Sequence, residues 1–263
     1  IFPNGVGNNK TIFFSDRGSR APFSVLATDR VGELHLCAST DGFQSVPIYA
    51  FSADTRLDNI TDWALQKFRN HYEKAKSSKR AVDKDAVFHY VYGVLHNPIY
   101  REKYAQNLKR EFPRIPFYAD FWKWAGWGEK LMALHIDYGN LEPWKLVRMD
   151  AADMTAKKSG IAPKAILKAL KETGTIVLDS DTQLSGVPRE AWDYRLGNRS
   201  ALEWVLDQYK EKTPKDPTIR EKFNSYRFAD YKDHVIDLLK RVTHVSVETM
   251  NIVEEMRAAK DAR

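Results

Sequence analysis

Short apolar runs separated by turn-forming residues make up the first part of the chain, a pattern typical of β-strands. The runs KTIFFS and FSVLATD flank the basic stretch DRGSRAP, and GELHLCAST and VPIYAF flank DGF. Because Gly, Pro and Asp favour turns, each pair of runs predicts a hairpin-like unit. We therefore predict that residues 1–58 are rich in β-structure.

The apolar spacing changes to the three- and four-residue steps of helices in the segment 59–150. Its stretch DKDAVFHYVYGVLHNPIYREKYAQNLKREFPRIPF contains two histidines and four tyrosines, which packed helices explain better than a reactive site. Asp83 or Asp85 can cap a first helix, and Asn97 can cap a continuous second helix that Pro113 ends. One face of the second helix would carry Tyr100, Tyr104, Leu108 and Phe112.

Two further segments complete the pattern. In residues 151–197, GTIVLDSDTQLSGVP predicts two strands around the turn DSD. In residues 198–263, SALEWVLDQYK predicts a helix capped by Asn198 or Ser200, and a long amphipathic helical region follows it. The whole pattern predicts an α+β fold in which a helical frame carries β-rich elements.

The composition limits the classes of function. Lys and Arg number 41 against 35 Asp and Glu, and the resulting net charge of +6 favours anionic partners, nucleic acid above all. Cys37 is the only cysteine, which excludes an internal disulfide and fits a reducing cytoplasm. No apolar run approaches the roughly 20 residues of a membrane span, so we expect no membrane role. Since the chain begins with IFPNGVG and no Met, we expect it to be a fragment of a longer polypeptide.

Motifs of catalytic and metal sites are weak in this sequence. His89 and His96 are seven residues apart and no His-x-x-x-His pair occurs, so we predict no metal site. GVGNNK at residues 5–10 lacks the spacing of a phosphate-binding P-loop. Asp230 and Lys232 form an Asp-x-Lys without the preceding carboxylate that a nuclease needs, and no Gly-x-Ser-x-Gly elbow is present. We therefore predict no catalytic residues in this chain.

Basic turns and one Asn-rich loop are the candidate nucleic-acid contacts, because Arg reads guanine bidentately and Lys commonly contacts phosphates. The aromatic-rich stretch FYADFWKWAGWGEK could stack bases beside its lysines, although its helical spacing favours core packing. For each residue taken singly, an ordinary surface role is the alternative. The candidate contact residues are Asn8, Asn9, Lys10, Arg17, Arg20, Lys123, Lys157, Lys158, Lys164, Arg189, Arg195 and Arg199.

Long ordered blocks of this sequence resemble one known family. DAVFHYVYGVLHNPIYREKYAQNLKREFPRIPF is similar to the segment that follows the methyltransferase motifs in single-polypeptide Type ISP restriction-modification enzymes, with Type IIG enzymes as further relatives. LSGVPREAWDYRLGNRSALEWVLDQYK resembles the family's pattern of a Pro, a Trp-x-Tyr, a Gly and a Leu-x-Trp helix. The opening GVGNNKTIFFSDRGSRAPFSVLATDRVGELHLC and the ending LLKRVTHVSVETMNIVEEM resemble the C-terminal specificity region, so the resemblance spans nearly the whole chain.

This resemblance implies that residues 1–263 form the DNA target recognition region of a larger polypeptide. The region would bind double-stranded DNA and position an adenine-N6 methyltransferase and translocating restriction enzyme on an asymmetric site. Its partners would be the methyltransferase, helicase and nuclease modules of the same polypeptide, in the cytoplasm of a prokaryote. S-adenosylmethionine, ATP and Mg²⁺ are implied for the parent enzyme only. No cofactor is expected here, because the Asn-Pro-Pro-Tyr motif and the Gly-rich S-adenosylmethionine loop are missing from the sequence.

Two alternatives stay open at this level. The chain could be a structural coupler between helicase and methyltransferase modules that does not read bases, or a fragment that contributes nuclease groups. Salt-dependent affinity for DNA would argue against the coupler, and metal-dependent cleavage would argue for the nuclease fragment.

Overall fold

The structure, a computed structural model, describes residues 9–32, 42–52, 55–72, 80–151, 160, 162–213, 215–223 and 226–259. The chain divides into two compact units. Unit 1 comprises residues 1–138, 196–198 and 251–263, and unit 2 comprises residues 139–195 and 199–250. All of the run GELHLCAST after Gly32, including Cys37, lies outside the described residues.

The strands of unit 1 form a three-stranded antiparallel sheet and a separate two-stranded hairpin. β1 is central in the sheet, in the order β2-β1-β3, and β4 pairs with β5. The predicted pairing of KTIFFS with FSVLATD is therefore confirmed. The strands are β1 Thr11–Ser15, β2 Val25–Thr28, β3 Phe43–Pro47, β4 Tyr49–Ser52 and β5 Thr55–Asp58.

Helices follow the strands of unit 1, as the apolar spacing predicts. Asp83 caps α2 by accepting a hydrogen bond from the backbone of Ala86, and Asn97 caps α3 by accepting one from Ile99, so both predicted caps are confirmed. Asp120 caps the aromatic-rich α5 in the same way. The helices are α1 Asp62–Tyr72, α2 Lys84–His96, α3 Pro98–Lys103, α4 Ala105–Leu108 and α5 Phe121–Ile136.

The prediction of one continuous helix after Asn97 is wrong. The helix is interrupted at Tyr104, which has φ −108° and ψ 19°, and α4 ends at Leu108, well before Pro113. The carbonyl of Lys109 accepts a hydrogen bond of 2.7 Å from the backbone N–H of Gly18. In a continuous helix the partner of this carbonyl would be residue 113, a proline without an N–H, so the distant turn supplies the donor that the helix cannot. A spacing of four residues cannot reveal a hydrogen bond to a distant turn.

Tyrosine hydroxyls hold the irregular segment between α4 and α5. Tyr90 donates to the carbonyl of Pro116 at 2.8 Å, Tyr72 to that of Tyr118 at 2.7 Å and Tyr100 to that of Arg114 at 3.1 Å. Burial raises the pKa of Tyr100 to about 12, so its hydroxyl stays protonated as a donor. These bonds satisfy carbonyls that no helix or sheet pairs, which is why the tyrosines of this stretch are structural.

The core of unit 1 forms where α2 crosses α5. Phe121, Trp124 and Trp127 are all buried, at 3%, 0% and 6% exposure, which confirms that the aromatic-rich stretch serves mainly as core. Gly93 of α2 and Gly128 of α5 permit the close crossing, because a Cβ at Gly93 would lie 2.6 Å from the carbonyl oxygen of Trp124.

The strands of unit 2 include a four-stranded antiparallel sheet in the order β6-β9-β8-β7. The predicted pair of strands around the turn DSD is confirmed as β8 and β9. In that turn, the Asp179 carboxylate accepts hydrogen bonds from two backbone N–H groups and forms an ion pair of 2.8 Å with Lys232. The strands are β6 Val147–Asp150, β7 Ala165–Leu170, β8 Thr175–Asp179, β9 Thr182–Ser185, β10 Arg195–Leu196 and β11 Arg199–Ser200.

Three α-helices complete the described chain. Ser200 and Glu203 form a capping box that begins α6, so the Ser200 cap is the one used. The long amphipathic region is α8, whose residues to Met250 belong to unit 2 and whose end from Asn251 belongs to unit 1. The helices are α6 Ala201–Gln208, α7 Pro217–Phe223 and α8 Lys232–Ala258.

Each unit has its own apolar core. In unit 2 one face of the sheet, with Ile176 and Leu184, packs with Leu202 of α6 and Leu239 of α8, all fully buried. The mixture of separate antiparallel sheets and packed helices is an α+β fold, as predicted. Among the described residues, no helix has the length and apolar character that a membrane span requires.

Candidate nucleic-acid interface

The turn between β1 and β2 brings together four exposed cations in unit 1. Gly18, with φ +78°, donates its N–H to Lys109, which places the turn against the end of α4. The cations of this turn surface, as we name it, are Arg17, Arg20, Lys109 and Arg110. Two of the four were candidate contacts from the sequence, and the structure adds Lys109 and Arg110.

Asp16, the acidic residue of the turn, accepts hydrogen bonds from the turn backbone and from a side chain of β3. Asp16 accepts hydrogen bonds from the backbone of Arg17 at 2.7 Å and from the side chain of Gln44 at 2.8 Å. The guanidinium of Arg17 lies 5.3 Å from the ring centroid of Phe112, which is 51% exposed. The turn surface therefore presents cations next to an exposed aromatic ring.

Lys109 and Arg110 were missed in the sequence because their run, LKREF, reads as the solvated side of a helix. The sequence signal that could have identified them is a pair of adjacent basic residues shortly before Pro113, the proline expected to end the helix. Only the hydrogen bond to Gly18 shows that this pair adjoins the first turn.

The residues at the start of β1 have different roles. Asn9 is 2% exposed and exchanges hydrogen bonds with the backbone of Tyr49 at 2.8 and 3.1 Å, so it joins β1 to β4. Lys10 is exposed and lines a polar cavity of about 340 Å³ together with His89 and Trp122. Burial, and then the charge of Lys10, lower the pKa of His89. Lys10 and Arg17 flank opposite ends of β1, roughly 20 Å apart at the rise of an extended strand.

Lys123 is exposed on α5, and its ammonium lies 4.9 Å from the ring centroid of Trp127. The indole N–H of Trp127 donates to Glu255 at 2.8 Å. Lys123 therefore covers the edge of the unit 1 core with its side chain, and its charge stays available to solvent.

Four candidate contacts lie in unit 2. All three of Lys164, Arg189 and Arg195 are exposed: Lys164 precedes β7, Arg189 begins a short 3-10 helix and Arg195 begins β10. Arg199 is more restricted, because its guanidinium pairs with Asp207 at 2.9 Å and stacks 5.1 Å from the ring of Trp204. Asn8, Lys157 and Lys158 lie outside the described residues.

One face of the unit 2 sheet is open to solvent. The strand register aligns Met149, Gln183, Val177 and Lys168 in a row across β6, β9, β8 and β7. Because side chains alternate between faces, the buried Leu184 and Ile176 place this row on the opposite face. This sheet face, as we name it, presents a Gln and a Lys, residue types that hydrogen-bond to base edges.

No group of three or more His, Cys, Asp or Glu side chains within the described part of the chain could hold a metal ion. The described surfaces offer ionic contact, aromatic stacking and hydrogen bonding to a polar partner.

Comparisons with known proteins agree on one family. The family model of the Type ISP C-terminal specificity domain matches residues 1–238. DrdV, solved by cryoEM as a DrdV-DNA complex, is 51% identical with a TM-score of 0.90, over 99% of this chain and 26% of that chain. No match was found among the curated proteins.

Two further solved structures are similar. A nuclease-deletion mutant of the Type ISP restriction-modification enzyme LlaGI, in complex with a DNA substrate mimic, is 27% identical with a TM-score of 0.70, over 96% of this chain and 21% of that chain. The ATP-dependent Type ISP restriction-modification enzyme LlaBIII, bound to DNA, shares the fold at 24% identity with a TM-score of 0.71, over 94% of this chain and 16% of that chain. This chain thus spans about a quarter or less of each of these proteins.

Proposed function

We propose, from the premise that this chain belongs to the family of Type ISP C-terminal specificity domains, that it recognises a target sequence in double-stranded DNA. The structures of DrdV, LlaGI and LlaBIII were solved with DNA or a DNA mimic, which supports this partner. The observation in this chain that carries the proposal is the turn surface, where four exposed cations surround the hydrogen bond between Gly18 and Lys109.

Two kinds of contact to DNA take part, one to the phosphates and one to the edges of the bases. The cations of the turn surface bind phosphates, which sets the register of the protein on the duplex without reading its sequence. The sheet face reads base edges through Gln183 and Lys168, because amide and ammonium groups hydrogen-bond to adenine and guanine in the major groove. Lys10, Lys123, Lys164, Arg189 and Arg195 stay proposed phosphate contacts.

We also propose a role for this chain within a larger enzyme. The chain itself is not catalytic and places an adenine-N6 methyltransferase and a translocating nuclease, carried by the same polypeptide, on an asymmetric site. S-adenosylmethionine, ATP and Mg²⁺ would act in those other modules.

Alanine substitutions at the turn surface test the DNA contact. In the purified protein, we expect Arg17→Ala, Arg20→Ala and Lys109→Ala each to weaken duplex binding about three- to tenfold, since each removes one phosphate contact. Fluorescence anisotropy with a labelled duplex measures the affinity, and thermal unfolding verifies the fold.

Lys67→Ala is the matched control, because Lys67 is an exposed cation of unit 1 on α1, where it lies 5.3 Å from the ring of Trp63. Its affinity should equal that of the unsubstituted protein. Unchanged binding across the three turn-surface variants would reject this contact surface, and absence of any salt-dependent affinity would favour the structural coupler.

A further inference from the structure

A groove of about 320 Å³ lies next to the turn surface in unit 1. It is lined mainly by aromatic and apolar side chains of α3, α4 and the segment that follows them. We name it the aromatic groove, and its main lining residues are Tyr100, Tyr104, Leu108, Phe112, Ile115 and Pro116. Its volume falls at the lower end of the roughly 300–1,000 Å³ of small-ligand sites.

The base and one wall of the aromatic groove are rigidly held. Tyr100 and Leu108 are 3% and 4% exposed, so they belong to the core beneath it. The hydroxyls of Tyr100 and Tyr90 donate to the carbonyls of Arg114 and Pro116, which fixes the wall. A groove with such support is formed before any ligand arrives, which reduces the entropic cost of binding.

Two aromatic rings that line the groove are open to solvent. Tyr104 is 39% exposed and Phe112 is 51% exposed. Tyr104 contacts the ring of Tyr100 at 5.2 Å and has the ammonium of Lys103 5.7 Å from its centroid. Phe112 contacts the ring of Phe14 at 6.2 Å and has the guanidinium of Arg17 5.3 Å from its centroid. Exposed aromatic rings that line one groove are typical of a binding site.

The charge around the aromatic groove selects an anionic occupant. Between residues 101 and 114 the chain carries five Lys or Arg and two Glu. Glu111 pairs with Arg114 at 2.6 Å, and Arg17 stacks on Phe112. Lys103 has its ammonium 5.7 Å from the ring centroid of Tyr104. Lys109 and Arg110 are exposed and lie in sequence between the lining residues Leu108 and Glu111.

We propose that the aromatic groove binds one unpaired nucleotide of DNA, with its base against Tyr104 and Phe112 and its phosphates at the neighbouring cations. The proposal rests on the proposed function, because it takes the occupant from the bound DNA. Aromatic side chains stack on any base, whereas cations alone would bind a fully paired duplex equally well. A nucleotide combines the flat apolar group and the negative charge that this groove and its rim accommodate.

Binding to a perfect duplex and to the same duplex with one unpaired 2-aminopurine tests the proposal. We expect the purified protein to prefer the unpaired base about tenfold in fluorescence anisotropy, the effect of one stacked base. Tyr104→Ala should remove most of this preference and leave the affinity for the perfect duplex unchanged. Phe112→Ala should also remove the preference, but its duplex affinity should fall toward that of Arg17→Ala, because Arg17 stacks on Phe112. Tyr104→Phe keeps the ring and should keep the preference.

Trp63→Ala provides the control, since Trp63 is a 71% exposed ring beside Lys67 on α1, outside the groove. It should behave as the unsubstituted protein. Equal affinity for both DNAs, or a preference that survives Tyr104→Ala and Phe112→Ala, would overturn the groove proposal while the duplex affinity upholds the proposed function. If the protein bound neither DNA, both the groove proposal and the proposed function would be overturned.

Discussion

Two histidines in the core of unit 1 are held without charge. His96 and His135 are 3% and 6% exposed, and their rings lie 5.5 Å apart. Burial, and then the nearby charge of Arg101, lower the pKa of His135 to about 3 and lower that of His96 well below its ordinary value. Nδ1 of His135 and the hydroxyl of Tyr92 share a hydrogen bond of 2.5 Å.

The free energy of unfolding should therefore fall as the pH falls below about 6.5. The unfolded chain binds a proton at each histidine near its ordinary pKa, whereas folded His135 binds one only near pH 3. Stability rises with pH wherever the unfolded state binds more protons, so full stability is present above about pH 6.5. We expect His135 alone to lower the unfolding free energy by about 2 kcal/mol between pH 7.5 and pH 5.

Urea denaturation at the two pH values measures this effect. In His135→Asn, whose amide can still hydrogen-bond to Tyr92, the loss of stability between the two pH values should be smaller by about that amount. His71→Asn, at an exposed position of the same unit, is the control and should show the full loss. An equal loss in His135→Asn would show that this histidine is not the group responsible.

At the scale of elements, the crossing of α2 and α5 depends on two glycines. The backbones approach so closely that a Cβ on Gly128 would overlap the carbonyl oxygen of His89. A Cβ on Gly126, two residues earlier in the same helix, would meet nothing within 4 Å. Both positions are glycines of α5, and they differ in whether backbone atoms of α2 lie close to them.

Gly128→Ala should destabilise the protein by at least about 2 kcal/mol, because the overlapping atoms are backbone and the helices must separate. Gly126→Ala should instead stabilise it by about 0.5–1 kcal/mol, since Ala has the higher helix propensity. Chemical denaturation of both variants measures the difference. Similar stabilities would contradict the close crossing.

At the scale of the whole molecule, the positive charge is spread thinly along the chain and is concentrated only by folding. The net charge of +6 on 263 residues is modest, yet the turn surface joins cations from positions about 90 residues apart. The affinity for DNA should accordingly fall as salt rises, with a slope of log affinity against log salt of about 0.9 for each phosphate contact of the turn surface.

We expect Arg17→Ala and Gln183→Ala to have different signatures. Arg17→Ala should weaken binding to all duplexes alike and reduce the slope of log affinity against log salt by about 1, because it removes a phosphate contact. Gln183→Ala should leave that slope unchanged and reduce discrimination between target and non-target sequences, as loss of a base contact does. Titrations at several salt concentrations, with a target site mapped by selection from random duplexes, distinguish the two. If the two variants changed the salt slope and the sequence discrimination in the same way, the assignment of Arg17 to phosphates and Gln183 to bases would be contradicted.

The candidate contacts show where prediction from local sequence stops. Arg17 and Arg20 were recognisable because a basic turn between two strands is a local pattern. Asn9 was read as a flexible contact, yet its side chain joins two strands through hydrogen bonds to Tyr49, a residue 40 positions away. Whether the exposed candidates touch DNA stays a prediction.

By itself, the sequence determined the local features of this protein. Strand alternation, the Asn97 cap and the α+β class follow from interactions between residues a few positions apart, and blocks of the sequence indicated the family. For two other helices the sequence left a choice of cap, Asp83 or Asp85 and Asn198 or Ser200, and the structure shows Asp83 and Ser200. Only the tertiary structure decided that the helix ends at Leu108, that Lys109 adjoins the first turn and that Tyr104 and Phe112 line one groove. These features depend on hydrogen bonds and packing between distant segments, which periodicity along the chain does not encode.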